Sequence, residues 1–237
     1  DGNTSYGAGT NVVDNIAFGK YALQNFGANV VENTAFGTAA LNACGGGYNN
    51  IDYGEGSYNT AVGVGSLSNN TFGTQNTAVG QNALTANTAS YNTAVGYQSM
   101  KSTTTGAENS AFGQGAMENS ITGNYNVAVG KSALASNTTG SYSTAIGYQA
   151  AYTANGSGYI TAVGYKAGFS LTTGLENVFV GWQTGLSTTT GNNNVAMGDS
   201  ALQSNVTGGN NVAIGQNPLQ NVPPSGNTAV GMQSLYS

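Results

Sequence analysis

The sequence predicts an all-β protein, a parallel β-solenoid or β-roll of about thirteen 17-residue coils, and three observations carry that prediction. The phrase Asn-Thr-Ala-Val-Gly or a near copy returns thirteen times, and its final glycines are almost evenly spaced, with every step from Gly96 to Gly215 being 17 residues. A bulky apolar residue stands at a fixed phase before each of these glycines, from Phe18 to Val230. No competing helical periodicity runs through the chain. A 17-residue period is too short for a helix-turn-helix or a propeller blade and suits one solenoid coil, which buries its apolar surface by stacking on its neighbours.

The elements follow from counting each phrase-final glycine as position 0. Position −1 holds Phe, Val, Ile or Met throughout, and −3 holds Thr, Val or Ile in every coil except at Ser110. Residues two apart share a strand face and β-branched residues favour strands, so −3 and −1 are expected to form one core stripe. Ala at −2, replaced once by Phe179, and Gly at 0 then form a small opposite face that another backbone or sheet can approach.

A second core stripe is expected at +4, in Leu23, Leu41, Leu67, Leu84, Met100, Met117, Leu134, Leu202, Leu219 and Leu235. It breaks at Ala151, Gly168 and Gly185, where the core either thins or is filled from Phe169 and Leu186. Thr-Gly pairs such as Thr139-Gly140 and Thr190-Gly191 mark a second turn in which glycine allows positive φ. Two turns per coil imply two short strands per coil, hence two parallel sheets. Asn occupies −4 in eleven of the thirteen coils, with Ser143 and Ile160 as departures, and is expected to form an inward amide ladder. The whole of residues 1–237 reads as a single repeat domain with an irregular insert at 43–58, where the step from Gly37 to Gly63 lengthens to 26 residues and must loop out.

Composition excludes several functions. Only 5% of residues are charged, the net charge is −5, and the four cations are all Lys, so the electrostatic footing for nucleic acid or an anionic bilayer is missing. No apolar run approaches the ~20 residues of a membrane span, and membrane insertion is not expected. The chain has no His, which removes imidazole-based nucleophile activation and metal ligation. Glu32, Glu108 and Glu176 share the −5 phase but lie four coils apart, and Asp52 and Glu55 match no calcium loop. The expectation is therefore no enzyme, no metal and no cofactor. Cys44 is the only cysteine and forms no intrachain disulfide. The start at Asp1 and the lack of polar end caps read as a processed chain, a piece of a longer fibre, or a subunit that stacks end to end.

Aromatic rows are the candidate binding residues. Tyr125, Tyr142 and Tyr159 occupy −5 in three successive coils, and Tyr148, Tyr165 and Trp182 occupy +1. Such rows suit a glycan, through apolar ring faces with polar rims, and suit a subunit contact equally well.

The run Asn92 to Ser99, Asn-Thr-Ala-Val-Gly-Tyr-Gln-Ser, is similar to repeats of bacteriophage tail fibres, and Asn211 to Gly215, Asn-Val-Ala-Ile-Gly, resembles repeats of trimeric autotransporter adhesin heads. The resemblance covers nearly the whole chain from Asn15. It implies a left-handed, trimeric β-roll and a structural fibre, extracellular or on a virion surface, that presents an adhesive surface for host or cell attachment. The partners expected are copies of the chain itself and a cell-surface glycan. The alternative function is a self-assembling extracellular filament whose subunits stack end to end.

Overall fold

The computed structural model describes residues 14–26, 29–44, 55–219 and 225–235, and these form a parallel β-solenoid in which no helix occurs among the described residues. The chain divides into two compact units, residues 1–122 and 123–237, and the same coil is built in each. In the first unit the strands are β1 (Ile16–Phe18), β2 (Asn25–Phe26), β3 (Thr34–Phe36), β4 (Ala43–Cys44), β5 (Thr60–Val62), β6 (Thr77–Val79), β7 (Thr93–Val95) and β8 (Ser110–Phe112). Strands β1, β3, β5, β6, β7 and β8 pair parallel in that order, while β2 and β4 form a separate pair. The second unit contains β9 (Val127–Val129), β10 (Thr144–Ile146), β11 (Thr161–Val163), β12 (Val178–Val180), β13 (Val195–Met197), β14 (Val212–Ile214) and β15 (Thr228–Val230), all parallel in chain order. Register is strict, phase on phase: Ala61 lies on Ala78 and Ala78 on Ala94.

Each coil outside the β2–β4 pair has one three-residue strand, not the two expected from the sequence. The reason lies in the turns. Positions −5, +2 and +4 are left-handed in every described coil, for example Tyr142 (φ 59°), Gln149 (φ 53°) and Ala151 (φ 48°). Left-handed residues at +2 and +4 bend the chain where a second strand would run extended. The turns still hydrogen-bond coil to coil: Leu84 N–H donates to Ser99 C=O at 3.1 Å, and Gln98 N–H to Gln81 C=O at 3.0 Å.

The second-turn glycines expected at positive φ, Gly140 and Gly191 among them, are not left-handed. They are glycine for want of space. A Cβ on Gly140 would stand 1.8 Å from the Ser157 carbonyl oxygen of the next coil, and one on Gly191 2.2 Å from that of Gly208. The position-0 glycines have φ between 120° and 138°, and those with a following coil stacked on them meet the spatial constraint as well: at Gly147 a Cβ would sit 2.3 Å from the Gly164 carbonyl oxygen.

The strand faces are the reverse of the expected ones. Ala at −2 points inward and is fully buried from Ala35 to Ala213 wherever it occurs, while −1 and −3 point outward. The interior of a coil this small accepts only a methyl from the strand, because the +4 side chains fill it from the opposite wall. Those are buried as expected, from Leu23 through Leu219; Leu235 alone of that stripe is exposed. The breaks at Gly168 and Gly185 are filled by Phe179, and neither Phe169 nor Leu186 is buried.

The Asn ladder runs inside, as expected. Asn59 Oδ1 accepts the backbone N–H of Asn76 at 2.9 Å, and Asn76 Oδ1 accepts that of Asn92 at 2.9 Å. Several of the amides also brace the coil across its width: Asn92 Nδ2 donates to Gly106 C=O at 2.8 Å and Asn194 Nδ2 to Gly208 C=O at 2.9 Å. A second set of buried polar residues at one phase, Asn70 and Asn87 in the first unit and Asn137 in the second, was not apparent from the sequence. Of the 43–58 insert, residues 45–54 lie outside the described residues; at its edges Cys44 is buried and its thiol donates to the Gly56 carbonyl.

Candidate binding and assembly surfaces

Two outer surfaces have features beyond those needed to close a coil. The first is the outer face of the sheet. In each unit it is a ladder of −3 and −1 side chains, and the larger −1 residues are well exposed: Phe36 52% and Phe112 42% in the first unit, Ile146 39% and Met197 43% in the second. No charged residue occurs at either phase in any coil. Alternation within a three-residue strand makes this surface unavoidable once Ala faces inward, since −1 and −3 must then share the solvent side.

The second surface is aromatic, and every expected row is assembled. In the second unit Tyr125 stacks on Tyr142 with ring centroids 5.0 Å apart, and Tyr142 on Tyr159 at 5.3 Å. Tyr148 stacks on Tyr165 at 5.5 Å, and Tyr165 on Trp182 at 6.0 Å, with ring planes within 12° of parallel. All six rings are exposed. A third row, Tyr152 on Phe169 at 5.3 Å, lies four residues further along the same coils and was not singled out from the sequence, although identical phase in consecutive coils would have revealed it. The stacking has a chemical consequence: a ring within a row has its faces against its neighbours and offers its edge to solvent, so a sugar ring can stack only at the end of a row.

The +1 and +5 rows are tied together by Lys166, whose Nζ lies 5.5 Å from the centre of the Tyr165 ring and 5.1 Å from that of Phe169. The carboxylates Glu32, Glu108 and Glu176 are exposed on the rim, and no cluster of three His, Cys, Asp or Glu that could hold a metal ion occurs among the described residues. Burial pushes the Cys44 thiol up to about 12, which leaves it protonated and a poor nucleophile at neutral pH. Among the described residues no helix is long and apolar enough to cross a membrane.

With the fold and these surfaces defined, the class of protein is a parallel β-solenoid repeat protein. No protein-family model, curated protein or solved structure matches this chain.

Proposed function

We propose that the chain is a non-enzymatic structural segment of an extracellular or virion fibre, a homotrimer that presents an adhesive surface for attachment to a host or another cell. The observation that carries this reading is the outer face of the sheet, uncharged throughout and with an exposed or half-exposed apolar residue at −1 in coil after coil beside the Thr, Val, Ile or Ser at −3. Leaving the apolar −1 side chains in water is unfavourable, and no charge at either phase opposes self-association. Three copies meeting by that face around a common axis cover all of it and leave the turns and aromatic rows outward. The likeness of the repeats to those of tail fibres and adhesin heads supports the same arrangement, as does the scarcity of charge.

Light scattering and sedimentation test it. The expected mass is three times 23.7 kDa. Val163→Asp, on the outer face, is expected to yield monomers that keep the β circular-dichroism spectrum. A well-folded wild-type monomer at micromolar concentration overturns the proposal, and open-ended polymers favour the end-to-end filament instead.

A further inference from the structure

We infer that Tyr148, flanked by Lys131 and Lys166, forms a binding site for a carboxylate-bearing saccharide; this rests on the adhesive reading above and names its ligand class. Three features converge on this spot. The first is charge. The chain carries a net −5, yet between Glu118 and Glu176 it has no carboxylate, and its two charged residues there are Lys131 and Lys166. A cationic patch inside an otherwise acidic molecule gathers anions locally.

The second is the polarity of the aromatic row. Only the end rings have a face that no neighbouring ring covers, and the two ends differ. Tyr148 packs on Tyr165 by one face, and the preceding coil places exposed Lys131 at the same +1 phase beside the other. At the far end Trp182 is followed at +1 by exposed Asp199, which repels an anion. The −5 row ends in the same way, because Glu176 follows Tyr159. Of these ends, the Tyr148 end is the one that joins an open ring face to cations rather than to a carboxylate.

The third is placement. Lys166 is held over the Tyr165 and Phe169 rings, which orient its ammonium without neutralising it. It lies two coils from Lys131, roughly 10 Å along the axis at the spacing of paired strands. Tyr148 falls between them. A short acidic oligosaccharide can set one ring on Tyr148 and bring its carboxylate to either ammonium, with Gln149 and Tyr hydroxyls along its edge.

The full-length chain is tested on an array of matched acidic and neutral oligosaccharides, and the best ligand is then titrated calorimetrically. The bound members are expected to be the carboxylated ones, with affinity falling as salt rises. Lys131→Met and Lys166→Met are each expected to weaken binding about tenfold, and Glu108→Gln to leave it unchanged. Tyr148→Ser should abolish binding; the methionine variants, which keep the aliphatic stems, decide the matter if that protein misfolds. Binding confined to neutral glycans, no saccharide binding at all, or acidic-glycan binding that survives both lysine substitutions together overturns the site. Light scattering on the same samples separates the two proposals: trimers that bind no saccharide overturn this site alone, and monomers that bind acidic saccharide overturn the fibre reading alone.

Discussion

Phe179 and Gly185 share one volume of the coil interior: a Cβ on Gly185 would lie 2.6 Å from Phe179 Cδ1. Gly168, one coil earlier, faces the same ring, its Cβ position 2.9 Å from Cδ2. Phe179 is the one residue at −2 that is not Ala, and Gly168 and Gly185 are the glycines of the +4 stripe. Bulk has moved from the turn wall to the strand wall while the interior stays filled, as close packing requires.

Phe179→Ala is therefore expected to cost about 3–5 kcal/mol, the usual toll of emptying a buried aromatic site. Gly185→Leu alone also destabilises, by overpacking. The double variant should be more stable than either single one, because Leu at +4 facing Ala at −2 is the arrangement of most other coils. Thermal denaturation of the four proteins gives the coupling directly. Strict additivity would show that the two residues do not share space.

The reversed strand faces give a second prediction. Ala128 is buried and Val129 beside it points outward. Ala128→Asp should prevent folding, since an unpaired buried carboxylate costs several kcal/mol. Val129→Asp should leave the coil folded and reduce self-association instead. Circular dichroism and sedimentation on the two variants read these effects separately, and loss of the β spectrum in Val129→Asp would contradict the face assignment.

Backbone conformation offers a third. Ser132 sits at φ 56°, half-exposed, and Ser132→Gly relieves a left-handed strain of about 1 kcal/mol. Gly147→Ala does the opposite twice over, through φ 136° and the clash with the Gly164 carbonyl. The expected order of melting temperatures is Ser132→Gly, wild type, Gly147→Ala.

Cys44 supplies a pH dependence. Its thiol titrates near 9.0 when unfolded and at about 12 when buried in the fold. Between those values the unfolded chain has lost the proton that the folded one keeps, so stability falls as pH rises through that window. Comparing wild type with Cys44→Ala isolates this slope from the tyrosines and lysines that titrate in the same range; the variant should lose less stability between pH 9 and pH 11. Alkylation of native Cys44 at pH 8 should be slow and should become fast in denaturant.

Much of the fold is legible in the sequence because repetition displays each environment many times over. The 17-residue period, the +4 stripe, the inward Asn ladder and the aromatic rows all follow from phase alone, since residues of equal phase in stacked coils must be neighbours. The third row, Tyr152 on Phe169, was equally accessible by that logic.

What phase alone leaves open is direction. In a three-residue strand, alternation says that Ala128 faces away from Val127 and Val129, but not which side is the interior, and hydrophobicity points to the bulkier pair. The tertiary structure decides for Ala, because Leu134 and its equivalents already fill the narrow coil from the opposite wall and leave room for a methyl only. The same limit on interior volume turns Val129 and Ile146 outward, puts Phe179 where Leu is missing, and leaves the apolar −1 stripe on the outer face of the sheet.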